Sequence, residues 1–264
     1  MKVLIESGIF PDEQDAITKA CKALKIDYST WSSSSFPPYN ENDNKVFFYG
    51  SILTASKLKK SKYRYQIWLG QEFDYSYFGA SLCGDLLNSR FALMPFGAVK
   101  YHLKNTENLD DNDKIFIRSN SGKKLFGGGL FTTKEFVMSN PLMNLDDLLV
   151  FAAPKDIGKE YRCVVGGTEE EFGDKNLQII THSSYGWNDE EYSQMDKANL
   201  SKTMEILSRN DIYHPYPMWV MDICECPEGV KIVECNSINT SSWYGADVEK
   251  IIAELDSLIR TQVT

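Results

Sequence analysis

The residues best suited to chemistry lie near the end of the chain, in Trp219-Val-Met-Asp222-Ile-Cys-Glu-Cys226, Pro227-Glu228-Gly229 and Val230-Lys-Ile-Val-Glu234-Cys-Asn236. Pro and then Gly between two β-rich runs predicts a three-residue hairpin loop, with Gly229 in the left-handed conformation. If Cys226 and Val230 close that loop, Asp222 falls opposite Glu234. The period of two along a strand puts Asn236 on the same face as Glu234. Facing carboxylates on neighbouring strands repel, and a cation between them removes the repulsion. Oxygen ligands from Asp, Glu and Asn suit Mg²⁺, which keeps waters and completes its shell from phosphate oxygens. The spacing alone is equally compatible with a solvated hairpin carrying scattered charges. The opposite face, with Met221, Ile223, Val233 and Cys235, is apolar, and Glu225 and Lys231 are expected to pair nearer the turn. The acids are therefore not simply the outer face of an edge hairpin.

The elements that must hold this hairpin fall into two styles. Residues 1–100 read as a small α/β unit. A strand over 3–6 leads through Pro11-Asp12 to a helix with Ala16, Ile17, Ala20 and Leu24 at helical spacing, and a strand over 45–49 runs through Gly50-Ser51 into a helix over 52–59. A strand entering a helix through Gly-Ser is also a place where anions bind. The stretches 32–38 and 40–44 read as loops. Lys57 to Arg64, with Tyr63, Tyr65 and Trp68, reads as a solvated helix end leading into a strand, with a nucleic-acid patch the weaker alternative. From Lys100 the pattern changes to strands joined by turns: a turn at 110–113, strands over 114–118, 130–133, 148–153, 159–165 and 177–184, with Glu169-Glu-Glu171 solvated between the last two. Helices are expected over 189–210 and 247–262, the second with Ile251, Ile252, Leu255 and Leu258 inward.

At 264 residues the chain is long enough for one large domain or two to three lobes. A net charge of −9 argues against nonspecific binding to nucleic acid or anionic membrane. No apolar run reaches the length of a membrane span, and the opening Met1-Lys-Val-Leu-Ile-Glu-Ser-Gly reads as a strand and not a signal peptide. Cysteines 21, 83, 163, 224, 226 and 235 lie mostly inside apolar runs without the spacing of a disulfide framework. Cys224-x-Cys226 lacks the second pair a zinc site needs and reads as strand core. The expectation is a reduced, cytoplasmic protein. His102, His182 and His214 are isolated, and none is assigned a catalytic role.

A second feature could bind phosphate: Ser119-Asn-Ser-Gly-Lys-Lys-Leu-Phe-Gly-Gly-Gly129, bracketed by Arg118 and Lys124. It is not a Walker loop, because Gly128-Gly129 stand where Lys and Ser or Thr are required. A strand follows the glycines and not a helix, so it is not a dinucleotide fingerprint either. A glycine loop between antiparallel strands can fold over phosphates, its N–H groups and cations offsetting their charge. By itself it reads as a mobile hairpin tip; together with the downstream Asp…Glu-x-Asn hairpin it makes a phosphate site specific.

The order of strand with a cation, glycine loop, hinge strand, Glu-x-Arg, Asp and Glu-x-Asn resembles the ATP-grasp superfamily. More narrowly it resembles the bacterial and phage clade named for a signature arginine and two lysines. Phe116-Ile-Arg118-Ser and Lys124-Leu-Phe126-x-Gly128 are similar to that clade's phosphate-binding region. The resemblance spans about residues 114–245. It implies an α/β (α+β) ATP-grasp fold, with a preATP-grasp-like lobe at 1–100 and an ATP-grasp region at 101–264, itself a glycine-loop lobe (101–153) and a metal-binding lobe (154–264). It implies ATP held by Arg118, Lys124, Gly127 and Gly128, by the hinge residues Phe151, Ala152 and Ala153, and by Glu160 at the ribose. It implies Mg²⁺ on Asp222, Glu234 and Asn236, and catalytic roles for Arg162 and Arg118. Either of Lys123 and Lys124 could be the phosphate lysine, and Lys155 a further basic contact.

What the resemblance implies chemically is a ligase forming an amide or peptide-like bond from small-molecule or peptide carboxylates and amines, through an acyl phosphate. Ser241, Ser242 and Tyr244, which follow the metal strand, are candidate substrate contacts. The rival readings are a kinase on the same fold and a non-catalytic nucleotide-binding module. A nucleic-acid-binding protein is disfavoured by charge. The sequence leaves the substrate and the oligomeric state open.

Overall fold

A computed structural model describes residues 1–32, 45–61, 65–105, 113–169, 175–185, 195–209 and 213–261. The expected loops at 33–38 and 40–44, Tyr63 and Arg64, most of the turn at 110–113, Glu170 and Glu171, and the first part of the helix expected from 189 lie outside them. The chain divides into two compact units, Met1–Leu69 with Gly158–Thr264, and Gly70–Ile157.

In the first unit β1 (Lys2–Glu6), β2 (Asp27–Trp31), β3 (Val46–Tyr49) and β4 (Tyr65–Gln66) form a parallel sheet in the order β2-β1-β3-β4. The unbroken apolar runs of β1 and β3 place these strands at its centre, buried on both faces. Helix α1 (Pro11–Ala23) starts on Pro, whose missing N–H costs nothing there, and carries Asp12 and Glu13 in its first turn and Lys22 in its last, in line with the helix dipole. Helix α2 (Ile52–Lys59) has the expected bounds and is capped by Ser51, whose side chain accepts from the Thr54 N–H at 3.2 Å. The anion position at this helix start is filled by the chain's own Glu6. Its carboxylate accepts from Ser51 N (2.7 Å), Ser51 Oγ (2.8 Å) and Thr54 Oγ1 (2.7 Å). Gly50 is required for this approach, because a Cβ there would lie 2.5 Å from Glu6 Cβ. Trp68 of the basic-aromatic stretch is core, its ring 6.0 Å from that of Phe47.

The second unit contains α3 (Tyr75–Leu82), β5 (Phe91–Pro95), α4 (Phe96–Asn105), β6 (Ile115–Ser119), β7 (Gly129–Phe131), α5 (Thr133–Ser139) and β8 (Leu148–Ala152). Its antiparallel sheet runs β5-β8-β6-β7. Two helices replace expected strand and turn. Thr132 and Glu135 form a capping box, with Glu135 N to Thr132 Oγ1 at 3.1 Å and Thr132 N to Glu135 Oε2 at 2.9 Å, which ends β7 and starts α5 where a strand was expected to run on to 133. In α4, Phe96 and Val99 are one helical step apart and bury together with Ile117, Phe136 and Leu149. The sheet thus begins at Phe91, before the expected boundary at residue 100. The chain itself divides at 69/70 and 157/158.

The first unit is completed by β9 (Glu160–Glu169), β10 (Lys175–Tyr185), α6 (Lys197–Arg209), β11 (Met218–Cys226), β12 (Gly229–Ser237) and α7 (Val248–Thr261). Its second sheet is antiparallel, in the order β10-β9-β11-β12. The amphipathic α7 buries Ile251, Ile252, Leu255, Leu258 and Ile259. They join Val3, Ile5, Ile17, Val164, Val220 and Trp243 in a core shared by both sheets. Cys224 is buried in β11, and burial pushes its thiol up to about 12. Among the described residues no helix is long and apolar enough to cross a membrane.

Candidate functional site

The expected pairing of Asp222 with Glu234 is present, but the chain reaches it by a different route. Cys226 pairs with Gly229, leaving Pro227-Glu228 as the turn, and Ile223 pairs with Ile232, so Val233 is an extra residue that restores the offset. Two register changes of one residue cancel. Gly229 has φ +103°, in the left-handed region as expected. Because the slip lies at Val233, Lys231 stands opposite Cys224 and Glu225 opposite Val230, so the expected pairing of Glu225 with Lys231 does not form. Glu225 instead accepts from Tyr161 Oη (3.0 Å) and Asn199 Nδ2 (2.8 Å).

On its other side Asp222 pairs with Arg162 of β9, so Arg162, Asp222 and Glu234 form one row across three strands. Asp222 is fully buried and Arg162 is 5% exposed. The guanidinium grips the carboxylate at two points, Nε to Oδ1 at 2.8 Å and Nη2 to Oδ2 at 2.6 Å, the fork geometry that makes such pairs strong. Asn236 Nδ2 donates to Asp222 Oδ2 (3.3 Å) and Glu234 Oε1 (2.8 Å). The cation demanded by the facing acids is thus already supplied in part by Arg162, to which the resemblance gives a catalytic role.

These residues fit a magnesium ion by their donor chemistry. Two carboxylates against one guanidinium leave a net negative charge, and Glu234, partly exposed, and Asn236 add hard oxygen atoms on the same face. Asn236 now turns its NH₂ to both acids, so its carbonyl oxygen would reach a metal only after the amide rotates. Among the described residues no cluster of three or more His, Cys, Asp or Glu could hold a metal; this set is two carboxylates and an amide.

Arg162 has two further partners. Nη1 donates to the Ser242 carbonyl at 2.7 Å, and the Tyr244 ring lies 4.5 Å from the guanidinium carbon. Ser241 is buried, and its carbonyl accepts from Tyr49 Oη at 3.0 Å. Burial, and then the charge of Glu13, push the Tyr49 phenol well above its usual range against the opposing pull of Arg162, so it stays a neutral donor. Of the three expected substrate contacts, Ser242 and Tyr244 are therefore first of all neighbours of Arg162. Glu160 lies two residues before Arg162 on β9, opposite Cys224 and Tyr185.

Two residues that organise this corner carry no local sequence signal. Glu13 accepts from the Ser242 hydroxyl, Trp243 N (3.2 Å) and Tyr244 N (3.3 Å). Asn239 is fully buried; its Nδ2 donates to Phe48 O (2.6 Å) and Gln66 O (3.0 Å), and its Oδ1 accepts from Trp68 N (2.7 Å). Asn239 follows Asn236 by three residues and Glu13 stands in the first turn of an ordinary amphipathic helix, so only partners distant in sequence distinguish them.

In the second unit Arg118 lies on β6, 9% exposed, its guanidinium carbon 4.9 Å from the Tyr75 ring centroid. Gly128 packs on it: a Cβ there would lie 3.1 Å from Arg118 Cβ and 3.2 Å from Phe116 Cζ. The glycine loop is tethered at both ends. Gly122 N donates to Asp74 Oδ1 at 2.9 Å, and the Phe126 ring packs 4.9 Å from Phe136. Between these tethers Lys123 and Lys124 are exposed, Lys124 at φ +50°, and just beyond the second Gly127 has open space around it. Phe151 and Ala152 belong to β8, between β5 and β6, and Ala153 is exposed just after it.

The model of the ATP-grasp domain, R2K clade family 3, matches residues 91–255. The match covers more than half of the chain, and the chain belongs to that family. No curated protein matches it in sequence. Among solved structures it is similar to a RimK domain protein ATP-grasp from Sphaerobacter thermophilus DSM 20745, at TM-score 0.64 and 13% identity over 97% of this chain and 99% of that one. It is also similar to D-cycloserine synthetase DcsG, at TM-score 0.61 and 10% identity over 98% and 99%. A third likeness is to N5-carboxyaminoimidazole synthase from Aspergillus clavatus, at TM-score 0.60 and 9% identity over 97% and 76%. At such identities the likeness is one of fold. The chain is a mixed α and β protein of the ATP-grasp fold, as the sequence pattern led us to expect.

Proposed function

We propose that this protein is an ATP-dependent ligase that joins a carboxylate to an amine through an acyl phosphate, using Mg²⁺ and releasing ADP and phosphate. The observation that carries the reading is the row of buried Arg162 and Asp222 with partly exposed Glu234, joined by Asn236, across three adjacent strands in a member of the ATP-grasp family. An oxygen of the substrate carboxylate attacks the γ-phosphorus and displaces ADP. The amine nitrogen then attacks the acyl carbon, phosphate leaves, and the nitrogen gives up a proton. Such transfer needs alignment and charge neutralisation more than a general base. A magnesium ion on Asp222, Glu234 and Asn236 would supply neutralisation of the phosphate oxygens. Arg162, held by Asp222, the Ser242 carbonyl and the Tyr244 ring, offers a fixed positive charge to the transferring group. Arg118 and Lys124 hold outer phosphate oxygens, with the N–H groups of Gly127 and Gly128. The backbone at Phe151, Ala152 and Ala153 meets the base, and Glu160 the ribose. Ser241, Ser242 and Tyr244 line the substrate side. The neighbours named as synthetases support a bond-forming outcome.

The direct test is incubation with Mg-ATP and pools of carboxylates and amines, following ADP and new amides by mass. ADP formed only when both pools are present supports the ligase; a stable phosphorylated product without amine would make the protein a kinase. Arg118→Ala is expected to weaken ATP binding about 10–100-fold, the loss of a charged hydrogen-bond partner. Arg118→Lys should recover only part of it, because a point charge lacks the fork. Calorimetric titration measures both, and unchanged affinity in the Ala variant would make Arg118 a structural residue, packed on the Tyr75 ring. Saturating Mg-ATP should also slow hydrogen exchange at Gly127 and Gly128, since ordering glycines is entropically costly and needs a ligand to offset it. Exchange unaltered by nucleotide counts against a phosphate role for this loop.

A further inference from the structure

We propose that Glu13, on the first turn of α1, is a positioning residue for Arg162. The proposal rests on the ligase reading for its kinetic consequence, and on geometry for its structural one. Glu13 is 8% exposed, and one oxygen of its carboxylate gathers the Ser242 hydroxyl and the consecutive N–H groups of Trp243 and Tyr244. Consecutive N–H groups converging on one anion form an anion-binding nest, which the anion stabilises. Tyr244 has φ +50°, a region that costs a side-chain-bearing residue energy and persists when its surroundings enforce it. Glu13 holds it there directly and through the Ser242 hydroxyl, which also accepts from Tyr244 N at 3.2 Å.

The same turn meets Arg162 from its other side. The Ser242 carbonyl accepts from Nη1, and the Tyr244 ring stacks 4.5 Å from the guanidinium carbon. Asp222 fixes two nitrogens of Arg162, and the turn fixes the third and the plane. Glu13 touches neither the guanidinium nor Asp222, yet it sets both of the turn's contacts. Helix α1 does not depend on it for its own place, because Ile17, Ala20 and Cys21 pack α1 into the core independently.

The test compares Glu13→Ala and Glu13→Gln with the wild type. Gln keeps an oxygen that can accept from the same three donors; Ala keeps none. A misplaced charge at the reacting centre costs rate more than nucleotide binding. Glu13→Ala is therefore expected to lower kcat about 10–100-fold with the ATP dissociation constant changed less than about 3-fold, and Glu13→Gln to recover most of the rate. Hydrogen exchange at Trp243 and Tyr244 should accelerate in the Ala variant alone, and the Arg162 Nη1 protons, held by the Ser242 carbonyl, should lose their separate chemical shift there. A Glu13→Ala protein that melts earlier but keeps its kcat and its Arg162 resonance overturns the proposal, as does a Gln variant as slow as the Ala one. If the wild type binds no Mg-ATP, the ligase reading fails, while the exchange and resonance measurements still decide the role of Glu13.

Discussion

Asp222→Asn is expected to abolish turnover and at the same time to destabilise the fold by about 3 kcal/mol, near the lower end for breaking a buried pair. Glu234→Gln should abolish turnover with little change in stability. The difference follows from what each acid touches. Both oxygens of fully buried Asp222 are held by Arg162, so the amide leaves a buried guanidinium without its counter-charge, and one NH₂ faces a donor. Its residual carbonyl can still accept one bond, which keeps the loss from reaching the full range. Glu234 is partly exposed and accepts from Asn236, a contact an amide can keep after rotation. Urea midpoints and ATP turnover at saturating Mg²⁺ measure the two effects separately. Wild-type turnover in either variant would sink the metal assignment, and an unchanged midpoint in Asp222→Asn would mean the Arg162 pair contributes nothing net.

Asn239→Ala is expected to cost about 3–4 kcal/mol. The side chain removed satisfies Phe48 O, Gln66 O and Trp68 N in a fully buried place. An unsatisfied buried group costs about 1–3 kcal/mol, and a water entering the cavity offsets part of the sum. Asn239→Asp should fare no better, because it loses both donated bonds and buries a charge. Chemical unfolding followed by Trp fluorescence reads the loss; a midpoint within error of the wild type would show that β3, β4 and the segment after β12 are held by packing alone.

The hairpin acids were legible because their relation is local. The thirteen residues of strand, turn and strand from Asp222 to Glu234 suffice to bring the two acids opposite each other, and the same locality made α2 and α7 readable from capping and period. Even there the agreement is partly fortunate, since a shorter turn and an extra residue at Val233 cancel. Helices α4 and α5 were missed for a different reason. Val99, Tyr101 and Leu103 of α4 alternate as they would in a strand, and the Thr132 and Glu135 box that starts α5 is two polar residues amid a strand-like run. The counter-charge of Asp222 was not legible at all. Arg162 was seen as a functional cation, but its strand could be placed beside β11 only by folding.

The sequence by itself therefore determined the family, the order of the candidate phosphate and metal motifs, and the facing of the two acids, all of which depend on residues near one another in the chain. The tertiary structure decided which charges those motifs meet. It set Arg162 on Asp222 across 60 residues, Asn239 on Phe48 across 191, and Glu13 under Tyr244 across 231. A buried charge or amide takes whichever partner the packing brings within hydrogen-bond reach, and that partner leaves no mark on the local pattern.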